Sequence, residues 1–248
     1  RGHSHQMFSS RVKVGAFILE GLNSVAVGMY FNYLFFHMRD QFGFTNLGNL
    51  SLCAVNGAVY CVSVWFAGKY AQRRGYLVAL RHGVSIMGAA LLAGGGLVPP
   101  VANTVVGQVG LMIVWTVGMS LSWPALEAIV SEAEPRRRLQ RLIGIYNIVW
   151  SAGTAAAYFA GGALVEWLGY RSIFLVPAAA HVCQFALVWA LDREHRLGLT
   201  GANAASGCGV STGAEETRPH SLAVCGGFLW MAWVANPFAY VAVNALVP

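Results

Sequence analysis

The chain has 248 residues, of which 56% are apolar and only 10% charged, with a formal net charge of +6. An average soluble domain carries about 25% charged residues, so this chain has too few to cover a water-facing surface. Nor does the positive charge mark a nucleic-acid binder, because the cations form no stripe with interleaved aromatics.

A helix needs about 20 predominantly apolar residues to cross the hydrocarbon of a bilayer. Such stretches fall at 14–38, 47–67, 77–98, 104–130, 142–165, 172–191 and 221–246. They predict an all-α polytopic membrane protein. After a polar start at 1–11, the first span carries Glu20, Asn23 and Asn32. An ionisable residue inside a span is costly and usually faces a polar interior. Glu20 is therefore either a solute or proton site, or a carboxylate that snorkels to the interface or pairs with a cation. Residues 38–49 read as a loop broken by Gly43 and Gly48. The second span has Asn56 near its middle.

Residues 68–75, Gly-Lys-Tyr-Ala-Gln-Arg-Arg-Gly, place three cations and two glycines between two apolar runs. That is the pattern of a short hairpin loop held on the cytoplasmic side by its charge. The third span is rich in Gly and Ala, which permits close helix packing, and Pro99-Pro100 ends it. The fourth passes Gln108, Trp115, Gly118, Trp123 and Pro124. It reaches Glu127 and Glu132 before a second basic loop at Arg136-Arg137-Arg138. Asn147 and Trp150 lie in the fifth span. The composition changes after Leu191, and 192–220 read as a flexible linker rich in Gly, Ala, Ser and Thr. The seventh span is interrupted by Asn236-Pro237, either a packing kink or a cavity-lining break. The expected organisation is a six-helix bundle at 1–191, a linker at 192–220, and at 221–248 the first helix of a second bundle that is cut short.

With the N-terminus inside, 14 of the 16 Lys and Arg residues fall on the inner side, and only Arg39 and Arg171 on the outer. This asymmetry orients the chain: a multi-pass protein of the cell (plasma or inner) membrane with N-terminus and linker in the cytoplasm. Cys53, Cys61, Cys183 and Cys225 lie in apolar stretches and Cys208 in the linker, where they read as small packing residues. No metal-ligand spacing, cofactor motif, Gly-x-Ser-x-Gly or His-Glu-x-x-His string occurs. His3 and His5 fall in the polar tail.

The 68–75 segment resembles the signature between the second and third helices of the major facilitator superfamily. That pattern runs Gly, three residues, Asp, a basic residue, one residue, Gly, then more basic residues. Gly68, Arg73 and Gly75 fall in register, whereas Gln72 stands where the acid belongs and Tyr76 where a base is usual. Pro124, Glu132, Arg141, Gly144, Gly153 and Gly161-Gly162 follow the family's order around helices four and five. Gly169-Tyr170-Arg171-Ser172-Ile173-Phe174 is similar to its entry to helix six. Met112 stands where some proton-coupled antiporters carry arginine, and Ala157-Tyr158 replaces their Gly-Pro pair, which argues against drug–proton antiport.

The resemblance implies a secondary carrier that moves a small solute by alternating access and makes no covalent bonds. Its partners are the solute, a possible coupling proton, the bilayer and the remaining half of the same chain. Asn23, Asn56, Trp115, Asn147 and Trp150 are candidates for the solute cavity, or else interhelical packing groups. Asn and Trp suit a neutral, hydroxylated or partly aromatic solute. Glu20 and Glu127 are candidates for proton coupling. Gly68, Gln72, Arg73, Gly75, Glu132 and Arg141 are candidates for a cytoplasmic gate, with Arg73 expected to pair with Glu132. The alternative from another class is a non-transporting seven-helix receptor or sensor.

Overall fold

Helix α1 (Ser10–Phe42) begins where the Ser9 hydroxyl accepts the Val12 N–H at 3.3 Å, and it stops at Gly43, whose φ of 67° is left-handed. The computed structural model describes residues 8–206. After α1 come α2 (Asn46–Arg74), α3 (Tyr76–Leu92) with a π-helical turn at Ala93–Leu97, a short α4 (Pro99–Ala102), α5 (Val105–Ser131), α6 (Arg136–Leu168) and α7 (Ser172–Ser206). Thr45 and Thr104 cap α2 and α5 with their side chains. Among the described residues six helices are long and apolar enough to span a membrane: α1, α2, Tyr76–Leu97, α5, α6 and Ser172–Gly198. The seventh stretch at 221–246, the linker beyond 206, His3, His5, Cys208 and Cys225 lie outside the described residues.

Several expected loops are helix instead. Only 43–45 separate α1 from α2, in place of the loop expected at 38–49. The cationic segment is the last two turns of α2, broken at Gly75 with φ 97° and ψ 147°, a conformation that only glycine adopts easily. Arg73 and Arg74 stand in the final turn, where positive charge opposes the helix dipole. Arg136, Arg137 and Arg138 are helical too, at the start of α6 immediately after Pro135, where the dipole does not favour them. The polar change after Leu191 does not end α7, because Asp192 is paired with Arg196 at 3.0 Å and with Arg81 of α3 at 3.6 Å.

Small residues bring two helix pairs into near contact. Gly21, Ser24 and Gly28 of α1 meet Gly153 and Ala157 of α6; a Cβ on Gly28 would lie 2.8 Å from that of Ala157. Gly83 of α3 and Gly118 of α5 face each other, each with the other's carbonyl oxygen where its own Cβ would go. Without a hydrophobic force between helices in lipid, such close backbones supply the dispersion and weak polar contacts that hold a bundle together. Helix α7 closes against α1 and α3: Leu191 covers Gly15, Phe174 covers Gly94, and the Gln184 amide donates to the Leu19 carbonyl at 3.0 Å. Helices α2 and α6 are the least covered, with 17% of their apolar windows buried against 61% for α1.

Candidate functional site

Glu20 sits ten residues along α1 from Ser10, about 15 Å at 1.5 Å per residue, and is fully buried. The Tyr146 hydroxyl of α6 donates to one carboxylate oxygen at 2.6 Å, and the Ser24 hydroxyl to the other at 3.0 Å. Among the described residues no cation forms an ion pair with it. Glu20 therefore neither snorkels nor pairs; it is a carboxyl held in the bundle by two neutral hydroxyls. Gly153 makes this approach possible, because a Cβ there would meet Ser24 Cβ at 2.8 Å and drive α6 away. Glu127 of α5 is exposed yet near enough for its charge to act on Glu20. Trp123 and Trp150 flank this region with ring centroids 6.2 Å apart.

At the cation-rich end Lys13 of α1 reaches across to the α5–α6 turn. Its Nζ donates to the Glu132 carbonyl at 3.0 Å and to Glu134 Oε1 at 2.5 Å, and Arg138 meets Glu134 Oε2 at 3.2 Å. The Lys13 ammonium, with Arg138 beside it, holds the Glu134 carboxyl below its ordinary value of 4.5. A depressed pKa adds stability that is present above the ordinary value and is lost as pH falls through the folded one. Thermal unfolding in detergent should therefore show wild type and Glu134→Gln converging as the pH drops below about 4.5. At pH 7 the variant, and Lys13→Ala more so, should melt a few degrees lower. Equal melting temperatures at pH 7 would show that the Lys13–Glu134 pair does not tie α1 to the α5–α6 turn.

The expected partner of Glu132 is not made. Arg73 is exposed and forms no ion pair among the described residues, while the Glu132 backbone is engaged by Lys13. Gln72 and Arg141 are also exposed. Asn56 and Trp115 lie inside the bundle rather than on a cavity wall. Thr116 donates to Asn56 Oδ1 at 2.5 Å, and Trp115 is stacked on Phe31 and set edge-on to Tyr30 with no exposed surface. Asn23 is buried with its amide oxygen unpartnered, whereas Asn147 and Trp150 reach the surface of α6.

A family model for the Major Facilitator Superfamily matches residues 16–248. The chain belongs to the major facilitator superfamily. It is thus a multi-pass membrane protein of a transporter family, and the six described spans are of the length and polarity such a protein needs. A search of curated proteins found no significant match. Among the described residues no group of three His, Cys, Asp or Glu side chains is placed to hold a metal.

Three features of this major facilitator bundle escaped sequence reasoning. Tyr146 as the holder of Glu20 had one usable signal: a tyrosine hydroxyl in an apolar span needs a partner. Lys13 and Glu134 were visible as charges at span ends, but 121 residues of sequence separate them. The link of His181 to Gln184 at 2.5 Å, and through it to the Leu19 carbonyl, joins α7 to α1 inside the bundle.

Proposed function

We propose that this protein is a secondary carrier that moves a small solute by alternating access, with residues 10–198 forming one wall of the cavity and Glu20 binding the coupling proton. One observation carries the reading: a carboxyl three turns into a span, fully buried and held by hydroxyls alone. Such a group is costly in hydrocarbon and functional by default. Tyr146 positions it, and Glu127, exposed nearby, offers the next stop for the proton.

Asn147 and Trp150, exposed on α6, together with Trp123, offer hydrogen bonds and a stacking face without fixed charge. They suit a neutral, hydroxylated or partly aromatic solute, and a second bundle supplies the opposite wall. The α2–α3 corner, with Gly68, Gln72, Arg73 and Gly75, forms the cytoplasmic gate with Glu132 and Arg141. Nothing lies within 4 Å of where a Gly68 Cβ would be, so no described neighbour demands glycine there. That room is left for a surface that closes over it. In this reading the N-terminus faces the cytoplasm of the cell membrane, and the protein performs no covalent chemistry.

Uptake of radiolabelled neutral solutes into vesicles, under an imposed proton gradient, tests the reading. The expected result is accumulation of one solute class that collapses on adding a protonophore. Solute-dependent protection of the span cysteines without any turnover would instead indicate a receptor.

A further inference from the structure

Away from Glu20, helices α2, α3 and α5 enclose an open groove of about 620 Å³, within the roughly 300–1,000 Å³ typical of small-molecule sites. Its body is apolar, with Val62, Phe66, Ile86 and Leu121 among the lining residues. Ser63 and Ser120 also line it, and toward the α2–α3 corner the Tyr70 hydroxyl lies 2.7 Å from His82 Nδ1. Arg73 and Arg74 follow Tyr70 by three and four residues on α2, so they continue the same helix face one turn further on. Both are exposed, and neither makes an ion pair among the described residues. Their neighbours are committed elsewhere: Arg81 to Asp192 at 3.6 Å, and Lys69 over the Trp65 ring at 4.5 Å.

We infer that the groove holds an acyl chain of an anionic phospholipid, with its phosphate on Arg73 and Arg74 and the Tyr70–His82 pair at its rim. Two chemistries meet in one feature, an apolar trough open to the side and an unpaired cationic mouth at the end of a span. A phospholipid supplies both complements, chain and headgroup. A neutral solute would leave the two arginines unmatched, and so would an apolar helix face. Each arginine near an anionic surface strengthens attraction by about fivefold, so the pair gives the site a preference over zwitterionic lipid that fades with salt. This site shares Arg73 with the proposed gate but does not require that Glu20 carry a proton.

Native mass spectrometry of the full 248-residue chain, equilibrated with mixed phosphatidylcholine and phosphatidylglycerol micelles, tests the inference. Wild type should retain phosphatidylglycerol in a salt-sensitive way. Retention should fall about 25-fold in Arg73→Gln/Arg74→Gln, each arginine being worth about fivefold. It should stay near wild type in Arg136→Gln/Arg137→Gln, which loses the same charge at the start of α6. Ile86→Trp, which fills the groove and keeps the charges, should also lose the lipid. The arginine variants change exposed side chains and decide the question even if Ile86→Trp does not fold. Equal retention in the two double variants, whether high or low, would overturn the proposal. So would a folded Ile86→Trp that retains the lipid, or displacement of the lipid by inorganic phosphate alone, which would mark a plain anion site.

Discussion

A Glu20→Gln carrier is expected to lose proton-driven accumulation by at least about tenfold, equivalent to ~1.4 kcal/mol, while still exchanging solute across the membrane. Glutamine keeps the size of the side chain and one acceptor for either Tyr146 or Ser24, so the contact between α1 and α6 survives. What it cannot do is gain and lose a proton. The two candidate roles of Glu20 therefore separate. A carboxyl kept only to bridge α1 and α6 would leave accumulation near wild type, because glutamine still bridges, at an interhelical bond energy of about 0.6–2 kcal/mol. A proton site would lose coupling with little change in melting temperature. Tyr146→Phe gives the companion result. As a positioning residue it should displace the pH profile of uptake without abolishing it, since Ser24 still donates to the carboxylate. Uptake at several pH values, with exchange as the control, reads both.

The second large effect belongs to the α3–α5 contact. Replacing Gly118 by Val should lower the melting temperature in detergent by roughly 5–10 °C, since each kcal/mol shifts a domain of this size by about 2–4 °C. A Cβ at Gly118 would lie 2.7 Å from the Met87 side chain and 2.8 Å from the Gly83 carbonyl oxygen. Met87 is flexible and can turn aside, but the carbonyl is backbone and cannot. The helices would have to separate, and overpacking of this kind costs about 1–3 kcal/mol or more. Gly83 is the reciprocal case, with the Gly118 carbonyl oxygen 2.6 Å from its own Cβ position. Gly57→Ala and Gly110→Ala supply the contrast, because nothing lies within 4 Å of a Cβ at either site. They should be neutral or slightly stabilising through lost chain entropy. If Gly118→Val melted with Gly110→Ala, close backbone packing would not be what holds these helices.

The spans were legible because length and apolarity alone decide whether a segment can cross hydrocarbon, and six of them stand where the composition put them. Their ends were less legible. Arg136–Arg138, Arg73 and Arg74, and the turns beyond Leu191 looked like loops by charge. Yet a helix that leaves the hydrocarbon is free to continue in polar surroundings when its charges are paired or favoured by its dipole. Asp192 with Arg196 and Arg81 shows the first case, and Arg74 at the end of α2 the second.

The site was legible as residue types but not as partners. Glu20 announced itself as an acid in a span; that Tyr146 and Ser24 would hold it is a matter of how α6 lies on α1. Asn56 and Trp115 looked like cavity groups because polar and amphipathic side chains in a span suggest one. Packing instead assigned the first to Thr116 and the second to an aromatic cluster. Arg73 and Glu132 share an end of the bundle, but Lys13 reaches the α5–α6 turn while Arg73 stays exposed.

The most direct test of a titrating carboxyl inside the bundle is infrared spectroscopy of the purified protein across a pH series. The C=O stretch of a protonated carboxylic acid is distinct from that of a carboxylate. The account predicts one carboxylic band that comes and goes with pH in the wild-type minus Glu20→Gln difference spectrum, where the other carboxyls of the chain cancel. Wild-type and variant spectra that coincide at every pH would contradict it.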